Sequence, residues 1–464
     1  MTHLRRPGVL TLTQPSPSRE RSWLAWAIAA AVLCAWALPA AGARLQPRVM
    51  KSVMANGLVL IVKPNSATDI VAIHALVRVP ATVETEQPGI RQLLTQMLVR
   101  GTTERTGTDL AMTVEAAGGT LNAAFGLDYV DVRATIPRDG FGLVVALLAD
   151  VLRHPIFDAR ELEGQRAEAL TRVEAVKDDP FQSAYFLARE VLYRGHPYGL
   201  PNFGTPAGLR ALNRERLVAL HRTYFVPNNT VIALSGNVTK AEAYQAISGA
   251  FDDWRQAAIP LGPDPKAPAL ERSQVEVVER LLRSASLMLA FPAPAVSDPA
   301  YPALQVADAV LGGGMASRLF VALRGEQGLA YQVSSFYPSL QRQSHLAAYV
   351  TTASENLEAA KRGIVREIER LQKEPVPQAE LERAKRFLVG SYALRHQRNS
   401  DQAFYLGWYE AVGVGWEFDD TYAERMNAVT AEQVQQAART WLHAYAGAAL
   451  MPRSEAPAAA KPRS

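Results

Sequence analysis

Apolar residues recur along the chain with two spacings: alternation, which marks strands, and three-to-four spacing, which marks helices. Asn56-Gly57 is a hairpin turn signal, and a β-rich run over residues 58–62 leaves it. Residues 70–79 predict a second strand. A helix follows, with Ile90, Leu93, Leu94, Met97 and Leu98 on one face. Residues 108–117 predict another helix, stopped by Gly118-Gly119, and residues 121–124 and 128–136 alternate as strands. Long helical patterns cover 141–152 and 159–176, the second closed by Asp178-Asp179-Pro180. A helix over 213–224 and a strand over 230–234 complete the series.

The Pro-rich stretch 258–268 interrupts this order, and the pattern then restarts. Residues 282–291 predict a strand, 301–311 and 317–324 helices, 330–336 and 346–352 strands, and 355–373 a long helix. One cadence occurs twice: Pro155-Ile-Phe-Asp-Ala-Arg-Glu-Leu-Glu163 and Pro375-Val-Pro-Gln-Ala-Glu-Leu-Glu382 each precede a long helix. A period of roughly 200 residues predicts two copies of one fold. The expected division is 50–257, a linker at 258–270, 271–450, and a disordered tail at 451–464.

The 464 residues are 48% hydrophobic and 20% charged, as in folded domains. The formal charge of +4 suggests nucleic acid, but Arg5, Arg6, Arg19 and Arg21 against Glu20 place +3 of it in the first 43 residues. The remainder carries about +1 (4 − 3), without a basic stripe interleaved with aromatics, so no nucleic-acid partner is expected. That basic lead, the apolar run 23–38 and Ala41-Gly42-Ala43 read as a signal peptide over 1–43, which predicts a periplasmic protein. The apolar run is short for a membrane span, so no stable membrane anchor is expected. The single cysteine, Cys34, lies in this run, which removes disulfides and thiol catalysis from a processed chain.

On the helix after residue 88, Gln92 and Gln96 share a face with Thr95 beside them. That spacing suits a metal, but the side chains do not. Zinc takes imidazole, thiolate or carboxylate, and a threonine hydroxyl is no general base near neutral pH. The pattern alone equally describes an amphipathic helix whose glutamines are solvated. Gly312-Gly313-Gly314 lacks the Gly-Lys-Ser/Thr of a phosphate loop, and His196-Pro197-Tyr198 reads as a structural turn.

Several segments together resemble the insulinase/pitrilysin family of zinc peptidases, in its bacterial, processing-peptidase-like branch. They are Asn56-Gly57-Leu58, the frame from Gly89 to Thr102, Gly118-Gly119-Thr-Leu-Asn122, His196-Pro-Tyr-Gly199 and Tyr224-Phe-Val-Pro227. Leu311-Gly-Gly-Gly-Met-Ala-Ser-Arg-Leu-Phe320 and Leu323-Arg-Gly-Glu-Gln-Gly-Leu-Ala-Tyr331 extend the match into the second half. The resemblance implies an α+β fold of two homologous domains, each a largely antiparallel β-sheet covered by helices. It also places Gln92, Thr95 and Gln96 where active members carry H-x-x-E-H, and Arg172 where they carry a third, glutamate ligand. A guanidinium there would repel a metal, so no zinc and no catalytic residue are expected in this chain. Arg324 and Tyr331 match the pair that binds substrate backbone; the plainer alternative is an arginine paired with Glu326 and a core tyrosine.

The chain therefore resembles a non-catalytic subunit, which implies an H-x-x-E-H homologue as partner, zinc in that partner, and an unfolded peptide as substrate. The alternatives are a stand-alone peptide-binding or assembly module, and an active metallopeptidase with atypical ligands.

Overall fold

The computed structural model describes residues 49–260, 265–266 and 270–453. The expected signal peptide, part of the linker and the tail beyond Arg453 lie outside the described residues. Eleven strands are present in these residues: β1 (Met50–Val53), β2 (Val59–Pro64), β3 (Ile70–Arg78), β4 (Thr120–Phe125), β5 (Tyr129–Pro137), β6 (Thr230–Gly236), β7 (Gln274–Arg280), β8 (Ala285–Ala293), β9 (Gln332–Phe336), β10 (Ser344–Thr352) and β11 (Ala446–Pro452). The helices before residue 257 are α1 (Ile90–Leu98), α2 (Gly107–Ala116), α3 (Phe141–Arg153), α4 (Ala159–Ala175), α5 (Pro180–Leu192), α6 (Pro206–Ala211), α7 (Arg214–Tyr224) and α8 (Lys240–Phe251). Those after it are α9 (Tyr301–Gly312), α10 (Leu357–Lys373), α11 (Gln378–Arg395), α12 (Asn399–Ala411), α13 (Glu417–Asn427) and α14 (Ala431–Trp441).

The strands form two sheets, ordered β1-β2-β6-β3-β5-β4 and β7-β11-β8-β10-β9. Each contains one parallel pair, β2 with β6 and β7 with β11, and is otherwise antiparallel. From β2 onward the first sheet has the same order and directions as the second, so the duplicated α+β architecture expected from the cadence is present. Among the described residues, only β1 has no counterpart.

Alternation along the strands builds a separate core on each face. Val71, Ile73, Ala75 and Val77 of β3 enter a core with α1, α3 and α8, while Leu76 points to the other face. That other face is covered from the second half of the chain: α12 lies across β3 and β6. In return α5 lies across β8 and β11, with Ala184, Ala188, Val191 and Leu192 against Met288 and Ala290. Each half thus lends one helix to the other's sheet, and the sequence pattern predicted neither helix.

Glycine and polar side chains seat these lent helices. A Cβ on Gly407 of α12 would lie 2.6 Å from Leu76 Cδ1 and 3.1 Å from Ala233 Cβ, so the helix sits directly on the strands. The Asn399 amide donates to Ile70 O at 3.1 Å, and Arg78 Nε donates to Ala411 O at 2.8 Å. His74 joins Asp131 through Nδ1 at 3.0 Å and Ser400 Oγ through Nε2 at 2.9 Å. Under α5, the hydroxyls of Tyr185 and Tyr193 meet the two ring nitrogens of His345, each at 3.0 Å. Burial, with the Arg189 charge, pushes the His345 imidazole down to about 3.

Candidate functional site

The start of α1 is fixed by a buried ion pair. Glu84 accepts from Arg91 Nε and from the Arg91 backbone N–H, both at 3.1 Å, while Arg91 Nη1 donates to Gly126 O at 2.8 Å. Gly89 precedes the helix with φ +96°, and a Cβ there would lie 2.5 Å from Leu209 Cδ2. Both conformation and space therefore require glycine.

This anchoring sets the rotation of α1, which packs against α4 and β4. Gln92 is fully buried, Thr95 is 2% exposed and Gln96 is half-buried. The solvated glutamines of the amphipathic reading are thus corrected: α4 and β4 cover the face that sequence alone leaves open. Both amide atoms of Gln92, Thr95 Oγ1 and Gln96 Oε1 are buried without a hydrogen-bond partner. A zinc ion does not fit this set, which offers neutral amides and a hydroxyl instead of imidazole and carboxylate. Among the described residues, no three His, Cys, Asp or Glu side chains are grouped to hold a metal ion.

Arg172 lies on α4, exposed, with its guanidinium 5.8 Å from the Phe203 ring centre. The α4 face continues N-terminally through Ala169 to Gln165, both buried. Gln165 escaped the sequence reading, although its seven-residue spacing from Arg172 places the two on one helix face.

Arg324 and Tyr331 occupy the second half. The helix expected over 317–324 is here a π-helix, Phe320–Glu326, whose wider turn carries Arg324 outward beside the Phe320 ring at 5.2 Å. Tyr331 is 58% exposed, and its backbone N–H donates to Thr351 O at 2.9 Å at the entrance to β9. Among the described residues neither side chain has a polar partner, and no ion pair joins Arg324 to Glu326. The core-tyrosine alternative fails on exposure. No hydrogen bond or ion pair connects this pair with Gln92, Thr95 or Gln96. His196, by contrast, is a turn residue: its Nδ1 accepts from Tyr198 N–H at 3.1 Å.

Residues 59–205 match the family described as Insulinase (Peptidase family M16), and residues 211–388 match the Peptidase M16 inactive domain. The uncharacterized zinc protease YmxG of Bacillus subtilis is 27% identical over 416 residues, spanning 87% of this chain and 98% of that protein. An uncharacterized zinc protease of Rickettsia felis is 25% identical over 365 residues, 78% of this chain and 87% of its own length. Among solved structures, a Helicobacter pylori protease superposes with a TM-score of 0.82 at 20% identity, covering 88% of this chain and all of its own. A peptidase M16 inactive domain from Pseudomonas fluorescens gives 0.79 at 22%, covering 88% and 98%. With both halves matched in order, and with the duplicated sheets and the α1 and Arg324 segments placed as described, the chain belongs to the insulinase family, peptidase family M16.

Proposed function

We propose that this chain is the non-catalytic subunit of a two-chain periplasmic zinc peptidase, paired with a homologue that carries H-x-x-E-H and the metal. The observation that carries this reading is the contrast between two sets of residues. The positions that would hold zinc and its base are Gln92, Thr95, Gln96 and Arg172, whereas Arg324 and Tyr331 stand exposed and, among the described residues, without polar side-chain partners. A guanidinium offers forked donors to peptide carbonyls, and a phenol adds a donor toward an oxygen gaining negative charge. Strand β4, beside α1, is the outer strand of its sheet, where an extended peptide can add by backbone hydrogen bonds. The periplasmic assignment rests on the basic lead, apolar run and Ala41-Gly42-Ala43 of the sequence. Among the described residues, no helix is long and apolar enough to cross a membrane.

Co-expression with an H-x-x-E-H homologue, measuring zinc per chain and peptide cleavage for each protein alone and together, tests the reading. The expected result is cleavage by the pair only, with zinc in the partner only. Arg324→Ala should lower kcat/KM of the pair at least tenfold, since one charged hydrogen bond is worth about 1.5–3 kcal/mol. Unchanged activity would remove Arg324 from the assigned role. Peptide binding by the chain alone, with no gain from the homologue, would favour a stand-alone binding module.

A further inference from the structure

The second sheet has an open edge where the first is closed. In the first, β1 pairs along β2; in the second, β7 stands in the place of β2 and no described strand covers its outer side. Strand β1 begins nine residues before β2, and the residue nine before β7 is Pro265, with Pro268 following. Prolines supply no N–H to a ladder, so the sequence at these positions does not favour a second β1.

Strand β7, Gln-Val-Glu-Val-Val-Glu-Arg, has seven residues with no proline or lysine to blunt its edge, and its charges are of both signs. Gln274 N–H donates inward to Tyr445 O, and Arg280 O accepts inward from Arg453 N–H. Even-numbered residues therefore bond to β11, while Val275, Val277 and Glu279 point their backbone groups outward. Val277 is 64% exposed, and Leu281, just beyond the strand, 83%. Three charges on this strand have no ion-pair partner among the described residues: Glu276 and Glu279, both exposed, and Arg280, whose Nε is buried and unbonded.

We infer that the β7 edge pairs with the β7 edge of a second copy of this chain, antiparallel about a two-fold axis through Val278. In that register Val277 of each copy exchanges both backbone bonds with Glu279 of the other. Glu276 lies opposite Arg280 twice, once on each side of the axis, and Val275 lies opposite Leu281. The backbone parity selects outward residues as bonding pairs, and the charge spacing selects this register. A lone charge on an edge deters strand addition, but here Glu276 and Arg280 each meet their opposite, while Glu279, opposite Val277, keeps its carboxylate toward solvent. Strands β7 and β9 are opposite edges of one sheet, so this pairing does not engage Tyr331 at the β9 side.

Sedimentation velocity of the purified full chain across the micromolar range tests the pairing. Parent protein should form dimers, and Glu276→Arg or Arg280→Glu should each weaken them by about tenfold or more, because like charges then face each other. An equimolar mixture of the two single variants should dimerise again, since each then presents the charge the other needs. Val277→Pro removes an outward N–H, leaves every inward bond in place, and should abolish the dimer without altering circular dichroism. A monomeric parent, or a dimer indifferent to these changes, overturns the inference. So does a monomer whose Glu276→Arg variant loses an H-x-x-E-H partner, which would assign the edge to that partner.

Discussion

Replacing Gln92 by methionine is expected to stabilise the protein. The residue is fully buried, and neither atom of its amide has a partner. An unmade hydrogen-bonding group costs about 1–3 kcal/mol when buried. Methionine has nearly the same length and an adaptable apolar chain, so the volume stays filled while the polar cost disappears. Thr95 Oγ1 and Gln96 Oε1 have no partner either, so the change breaks no bond to them. The net gain should be about 1–3 kcal/mol. At about 2.1 cal/mol/K of unfolding entropy per residue, a unit of about 400 residues moves its melting temperature only about 1–4 °C for that gain. The guanidinium midpoint is the better measure, followed by fluorescence of Trp254, Trp408, Trp416 and Trp441. A loss of more than about 1 kcal/mol would mean that the amide is bonded after all, and the account of this helix face would be wrong.

Other perturbations test other parts of the fold. Gly407→Ala should cost about 1–3 kcal/mol, because the new methyl meets Leu76 and Ala233; equal denaturation midpoints would contradict the close seating of α12. His345 and His221 are held down at about 3 and about 4, chiefly by burial, so both stay neutral in the fold and gain protons on unfolding. Their contribution is complete above pH 6.5 and lost as pH falls through 4 toward 3; unfolding free energy that stays flat over this window would refute it. Asp308 has the opposite sign. Burial raises it to about 7 from 3.8, against hydrogen bonds from Ser335 Oγ at 2.6 Å and the Tyr337 backbone, so its protonated form is favoured. That stabilisation is complete below pH 3.8 and lost as pH rises through 7. Asp308→Asn should therefore be more stable than the parent by about 1–3 kcal/mol at pH 8, with the gap narrowing toward pH 4 in urea titrations.

The duplicated α+β plan was legible because its strands read as short apolar or alternating runs bounded by turn residues, and its long helices as extended three-to-four spacing. Residues 70–79 predicted β3 nearly to the residue, and 301–311 predicted α9. The lent helices were not legible, for a physical reason. Asn399, Ser400 and Gln402 of α12 hold their sheet through polar side chains, and Gly407 sits mid-helix where a larger residue would ordinarily mark a buried face. Gln92 was misread as solvated in the pattern alone because its cover comes from α4 and β4, distant in sequence. Met451 and Pro452, expected in the tail, belong to β11. The positions of Arg324 and Tyr331 followed from motif spacing, whereas the π-turn that carries Arg324 outward left no local signal.

The lent helices α5 and α12 also decide how the molecule can be divided. A fragment ending near residue 257 keeps α5 but leaves the β3–β6 face, with Leu76, Val231 and Ala233, open to water. The complementary fragment keeps α12 and bares Met288, Ala290 and Ala448. Neither half contains a complete set of its own walls, so unfolding one strips the other. Although the sequence reads as two copies, the smallest cooperative unit is the fused pair, and a break between residues 257 and 271 would sever the chain without freeing its parts.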